Sequence, residues 1–215
     1  MEITYLGHSS FKLKGDSTSL VTDPFSESMV GMKYPPTDAE IVTVSHNHQD
    51  HNQASEVSGV RKVIDGPGEY EISGVSILGF ASFHDNKEGA ERGKNVIFVI
   101  EMDDIRLCHL GDLGHNLTDD QINALGDIDV LFIPVGDTYT IDAKVAKDLS
   151  LAIEAKITIP MHYGSDKLNK ENFGSLAPVS DFLSIIDLKV ENEKKLKLKA
   201  GSLPPDPKIV VFNGQ

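Results

Sequence analysis

Cysteine is almost missing: Cys108 is the only one in 215 residues, which excludes an internal disulfide framework and leaves the fold to its apolar core. Long apolar runs are missing too, since no stretch approaches the roughly 20 residues that a membrane-spanning helix requires. Basic charge is scarce. Lys and Arg number 20 against 33 Asp and Glu, a formal net charge of −13. Such a field repels nucleic-acid phosphates and anionic membrane surfaces, so neither is an expected partner. It does not exclude a small anionic molecule, because a local cation can dominate one cleft. The first residues, Met1 to Gly7, read as a strand without the basic and apolar regions of a secretion signal, and the cytoplasm is the expected location. Self-association is left open.

What is present is ordinary globular material, 40% hydrophobic and 25% charged, and the length suits one domain spanning residues 1–215. Residues 2–6, 10–14 and 18–22 are short alternating or apolar runs punctuated by Gly7, Gly15 and Asp16, the pattern of a meander. After a loop from Pro24 to Pro36 comes a buried strand, Ile41 to Val44. Two or three further strands are expected across 61–84, a charged loop across Asp85 to Lys94, and strands at 95–101 and 104–110 flanking a tight turn at Asp103-Asp104. The second half alternates. Thr118 and Gln121 form a capping box, 130–133 is a strand, Ala143 to Ala155 an amphipathic helix, 157–159 a strand, 178–187 a helix and 208–212 a closing strand. Strands followed by alternating strands and helices indicate a mixed α/β domain, with sheets covered by helices.

The segment Ser45-His46-Asn47-His48-Gln49-Asp50-His51-Asn52 follows the apolar strand directly. His46 and His48 stand at i and i+2, so an extended backbone points both imidazoles the same way. Asp50 and His51 lie where the chain is expected to turn into a helix, and approach from another angle. One short segment can therefore serve two adjacent cations. Imidazole and carboxylate ligands suit zinc and, less selectively, manganese or iron. A solvent-facing polar turn would have no reason to gather this set.

The segment resembles the His-x-His-x-Asp-His signature of the metallo-β-lactamase-fold hydrolase superfamily, which implies a four-layer αββα sandwich. Further positions match in order, each at the end of an expected strand: Asp23 with Pro24, His84, Asp112 after Gly111, and His162 after Met161. The resemblance implies two divalent metal ions, zinc expected, with manganese or iron as alternatives. His46, His48 and His84 would hold one, Asp50, His51 and His162 the other, and Asp112 would bridge them. The implied nucleophile is hydroxide held between the ions, with Asp50 orienting it and relaying its proton. Asp23 is expected to fix a ligand histidine by accepting its second N–H rather than to bind metal.

Weaker candidates surround this set. His8 and His115 sit in loops that the resemblance places near the cleft, as substrate ligands or as acids for a leaving group, and His115 is expected to be catalytic beside Asp50. Arg92, with Lys94, lies on the loop after His84 and could meet an anionic substrate. Tyr139 and Thr140 are pocket candidates, Thr140 alternatively a helix cap. His109 and Cys108 lie inside an apolar strand and read as core.

Details such as Gly7-His8-Ser9, Asp23-Pro24, Pro134-Val135-Gly136 and Met161-His162-Tyr163 are similar to the small zinc-dependent hydrolases related to ascorbate-6-phosphate lactonase. Asp112 stands where many antibiotic-hydrolysing relatives carry cysteine, and His48 where flavodiiron reductases carry glutamate. The expectation is a hydrolase of a small-molecule ester, lactone, thioester or phosphodiester. Two rivals are an iron enzyme of redox or oxygen chemistry on the same fold, and a metal-stabilised binding module without turnover.

Overall fold

The computed structural model describes residues 1–213. The chain opens as the expected meander, β1 (Glu2–Gly7), β2 (Ser10–Lys14) and β3 (Ser19–Thr22), each antiparallel to the one before. The one-turn helix α1 (Glu27–Val30) follows, then β4 (Thr37–Asp38) and β5 (Ile41–Thr43). Next come β6 (Val57–Ser58), β7 (Lys62–Ile64), β8 (Gly68–Ile72), β9 (Val75–Phe83), β10 (Lys94–Met102) and β11 (Ile105–His109). The second half runs α2 (Asp119–Leu125), β12 (Val130–Pro134), α3 (Ala143–Ile153), β13 (Ile157–Met161), α4 (Lys170–Phe173) and α5 (Val179–Leu183). It closes with β14 (Lys189–Glu193), β15 (Leu196–Lys197) and β16 (Lys208–Phe212).

Two large sheets result, six strands in the order β15-β1-β2-β3-β5-β7 and eight in the order β14-β16-β13-β12-β11-β10-β9-β8. Alternation along single strands explains why they stack. Val96, Phe98 and Ile100 of β10 join Phe11, Leu13, Leu20 and Ile41 in the core between the sheets, while Ile97 and Val99 point the other way onto α2, α3 and α5. Strands β12 and β16 divide their side chains likewise, Phe132 inward and Leu131 outward, Val210 inward and Val211 outward. Both faces of the eight-stranded sheet are therefore covered, and its central strands read as continuous apolar runs. The outer face of the six-stranded sheet, with Val21 and Val42, packs under α1, α4 and loops carrying Phe25 and Tyr34. This is the αββα sandwich with one helical layer reduced to two one-turn helices.

Several local expectations hold for their stated reasons. Asp103 and Asp104 both take left-handed backbone (φ 54 and 58), which lets a two-residue turn match the twist of β10 and β11. Thr118 Oγ1 accepts from Gln121 N–H at 3.2 Å while Gln121 Oε1 accepts from Thr118 N–H at 2.9 Å. Others are corrected. No α-helix follows the histidine-rich segment; the backbone makes a compact turn in which the His51 and Asn52 N–H groups both donate to His48 O, and then a single 3₁₀ turn at Ala54–Glu56. The helix expected over 178–187 stops at Leu183, and the loop from Pro24 to Pro36 contains α1. Among the described residues no helix is long and apolar enough to cross a membrane.

Strand direction places the chemistry. Strands β1, β3 and β5 run the same way in one sheet, because β2 is antiparallel to both neighbours and β5 is parallel to β3. In the other sheet β9, β11, β12 and β13 share a direction, since β10 is antiparallel to both β9 and β11. The carboxyl ends of each set converge on one rim, and every candidate ligand follows such an end. Phe98 is fully buried at the centre of this sandwich. Phe98→Ala should lower unfolding free energy by about 3–5 kcal/mol, measured by urea denaturation of the metal-free protein; a loss below about 1 kcal/mol would refute the core assignment.

Candidate metal centre and cleft

Six loops build the rim. His8 follows β1, Asp23 follows β3, the segment His46 to His51 follows β5, His84 follows β9, Asp112 follows β11 and His162 follows β13. Close backbone approach makes this possible. Gly111 (φ 57) sits against Ser45 and Asn95, and Gly136 against the His162 carbonyl, where any Cβ would collide.

The seven expected ligands converge. Asp112 Oδ2 lies 3.2 Å from His51 Nε2, 3.2 Å from His84 Nε2, 3.1 Å from His162 Nε2 and 3.7 Å from His46 Nε2. Asp50 Oδ2 lies 3.5 Å from His51 Nε2 and 3.9 Å from His162 Nε2. The rings of His46, His48 and His84 meet with centroids 4.6–5.1 Å apart. His84 and Asp112 are at most 2% exposed and His51 is fully buried, whereas His48 is exposed to the cleft.

The nitrogens nearest Asp112 do not hydrogen-bond to it. Nε2 of His46, His51 and His162 are buried without a partner, although Asp112 Oδ2 is close enough. Their short approaches to the oxygen lack hydrogen-bond geometry. Ligand atoms around a tetrahedral zinc at about 2.0–2.1 Å stand about 3.4 Å from each other, the spacing seen here. The tautomers agree. Asp23 Oδ2 accepts the His51 Nδ1–H at 2.8 Å, and Ser45 Oγ, which donates to Asp23 Oδ2 at 2.6 Å, accepts the His46 Nδ1–H at 2.9 Å. With Nδ1 protonated, each ring presents an Nε2 lone pair to the centre. Asp23, also accepting from Ser45 N–H at 2.8 Å, has its oxygens occupied and acts as the anchor of two ligand rings.

Charge tells the same story. Asp23, Asp50 and Asp112 are buried, and among the described residues no Lys or Arg pairs with them. Burial works against the Asp112 charge, but the His162 and His51 rings outweigh it and hold the carboxyl well below its usual range. Burial likewise opposes a proton on His51, yet Asp112 and Asp50 raise its affinity well above the ordinary value. Burial, with His51 beside it, pushes His46 down to about 3. Among the described residues the buried carboxylates thus lack a fixed cationic partner, and the donor set of imidazoles and carboxylates fits divalent cations.

Asn95 was not anticipated. Its Oδ1 accepts from Asp112 N–H at 3.0 Å and its Nδ2 donates to Leu110 O and Ser82 Oγ, fixing the turn that carries Asp112. Asp85 was missed as well. Its carboxylate accepts the N–H groups of Lys87, Gly89, Glu91 and Arg92 at 2.7–3.0 Å and so shapes the loop after His84. Asp85 had a signal, a polar residue directly after His84; Asn95, at the start of β10 opposite Ser82, had none in the sequence. Arg92 is thereby held at the cleft, its guanidinium 5.7 Å from the centroid of the Tyr139 ring and donating to Thr138 O at 3.3 Å.

The cleft, about 510 Å³, is lined by His48, Asp50, His84, Asp112 and His162 together with Arg92, Tyr139, Met29 and Phe173. That size suits a small molecule. His115 lies outside it: its Nδ1–H donates to Asn116 O at 2.7 Å and its Nε2 accepts from Phe83 N–H, so the ring ties down a loop and the catalytic assignment is corrected. Thr140 neither lines the cleft nor caps α3, whose N-cap is Asp142. His8 lies within the cluster, 3.2 Å from Asp50. Lys94 is exposed and is not among the cleft-lining residues. His109 is core, donating Nε2–H to Ser9 O at 2.9 Å.

A family model described as a beta-lactamase superfamily domain matches residues 2–162. The chain belongs to the metallo-β-lactamase superfamily. A crystal structure from Thermotoga maritima, of a superfamily member named as a candidate Zn-dependent hydrolase, is 42% identical with TM-score 0.82 and covers 98% of this chain and 97% of that one. A UPF0173 metal-dependent hydrolase of Thermoplasma acidophilum is 30% identical over 205 residues, 82% of this chain and 91% of that protein. One from Methanopyrus kandleri is 28% identical over 196 residues, 77% and 85%. On this superfamily scaffold Cys108 has no part in the rim: it is fully buried in β11, and burial pushes its thiol up to about 12. A thiol-reactive disulfide reagent should label it only after denaturation; fast labelling of the native protein would contradict its place in the core.

Proposed function

We propose that this chain is a metal-dependent hydrolase that works with two divalent cations, zinc first among them, on a small ester, lactone, thioester or phosphodiester. The observation that carries the reading is the convergence of unpartnered imidazole nitrogens about Asp112 Oδ2. The names given to the Thermoplasma, Methanopyrus and Thermotoga relatives support it. Bound in this donor set, two such cations supply water ionised near neutral pH and positive charge that polarises a carbonyl or phosphoryl oxygen.

The residues divide the work. His46, His48 and His84 would hold one cation; Asp50, His51 and His162 would hold the other, with Asp112 facing both groups. Asp50, on the cleft wall with its carboxyl held ionised by His51 against the cost of burial, would orient the attacking water by accepting a hydrogen bond from it. Two dications against the carboxylates of Asp50 and Asp112 leave a positive remainder. An anionic or strongly polar substrate is drawn there despite the net charge of −13. Arg92 faces the same cleft as a fork of donors for a carboxylate or phosphate, and Tyr139, Phe173 and Met29 offer apolar contact to the rest of the molecule.

Purified protein loaded with zinc or manganese should turn over at least one member of a panel of aryl esters, lactones, thioesters and bis-aryl phosphodiesters. Asp112→Asn should lower kcat/KM by more than about 100-fold, beyond the 10–100-fold typical of outer ligand partners. Protein that holds two ions yet hydrolyses nothing in the panel would sink the reading. For the best substrate bearing a carboxylate or phosphate, Arg92→Ala should raise KM about 10-fold or more, the loss of one charge-assisted contact. The KM of a neutral analogue should stay put, and equal effects on both would remove Arg92 from substrate recognition.

A further inference from the structure

The loop between β1 and β2 spends backbone strain on one side chain. Gly7 (φ 121) and His8 (φ 53) both adopt left-handed backbone, which non-glycine residues rarely enter. The result turns the His8 ring inward, 2% exposed, with its centroid 4.2 Å from His162, 4.9 Å from Phe173 and 5.5 Å from His51. Its carbonyl is fixed as well, accepting from Tyr5 Oη–H at 3.2 Å and from His162 N–H at 3.3 Å. A histidine held this firmly beside a cation site could ligate the cation or act on a ligand.

The hydrogen bonds choose between the two. His8 Nε2 lies 3.2 Å from Asp50 Oδ2 in good hydrogen-bond geometry, whereas Nε2 of His46, His51 and His162 have no partner. An ionised carboxylate only accepts, so His8 Nε2 must carry the proton in this contact. A nitrogen that donates a proton to Asp50 has no lone pair left for a cation. The other nitrogen, Nδ1, is buried without a partner and points to no acceptor, which fits the neutral ring.

From the geometry we infer that His8 is a positioning residue: its Nε2–H clamps Asp50 Oδ2 in the orientation that faces His51 and His162, and so completes the second cation site. It touches neither substrate nor cation in this role. The inference rests on the two-cation reading proposed above.

The test is a titration of the full-length, metal-free protein with zinc chloride against a competing chelator. The parent should take up two equivalents. His8→Ala should bind the first, at His46, His48 and His84, as the parent does, and the second 10–100-fold more weakly, the usual cost of losing a ligand's outer partner. His8→Gln puts an amide Nε2–H where the imidazole had one, and should restore the second equivalent to within a few-fold of the parent. Parental affinity for both equivalents in His8→Ala, equal weakening of both, or failure of His8→Gln to restore the second would each overturn the assignment. A parent that takes up fewer than two equivalents would refute the two-cation reading itself, before any variant is compared.

Discussion

Three carboxylates, Asp23, Asp50 and Asp112, are buried on one rim, and among the described residues imidazoles are the only ionisable groups that pair with them. Isolated buried anions are too costly to keep, by several kcal/mol each, unless hydrogen bonds or cations compensate them. Asp23 is compensated by hydrogen bonds from Ser45 and His51. For Asp112 the surroundings are donor atoms that approach closely but fail to bond it, so what is called for is positive charge at the centre of the group. Much of the surrounding structure follows from that requirement. Asn95 fixes the Asp112 turn, Ser45 and Asp23 set the tautomers of His46 and His51, and Gly111 and Gly136 let backbones approach where side chains would keep them apart.

The sandwich serves this by arithmetic of strand direction. Carboxyl ends of β1, β3 and β5 from one sheet and of β9, β11 and β13 from the other meet at a single rim, so residues as far apart in sequence as His8 and His162 become neighbours. Rigid strands fix where the candidate ligands start, and short loops then aim them. The loop after His84 follows the same principle at longer range: Asp85 gathers four backbone N–H groups and delivers Arg92 to the cleft wall.

Much of this was legible in the residues. The continuous apolar runs of β10 and β12 gave those strands, and the spacing of His46, His48, Asp50 and His51 pointed to two adjacent groups of donors. The order of Asp23, His84, Asp112 and His162 at strand ends came from a resemblance, not from periodicity. What stayed hidden depended on three-dimensional company. β14 carries exposed or half-buried, mostly charged residues and shows no core pattern, so its pairing with β16 had no sequence signal. The turn after His48 is held by backbone N–H groups converging on one carbonyl, which no side chain announces. The resemblance drew His115 toward the cleft, and a place in a strand-to-helix loop drew Thr140; local hydrogen bonds in the fold engage both elsewhere.

The measurement that bears most directly on the central claim is anomalous diffraction at the zinc edge from crystals of the zinc-loaded protein. The account predicts two peaks, one among His46, His48 and His84 and one among Asp50, His51 and His162, with the Asp112 carboxylate between them. A single peak, or peaks away from Asp112, would contradict it.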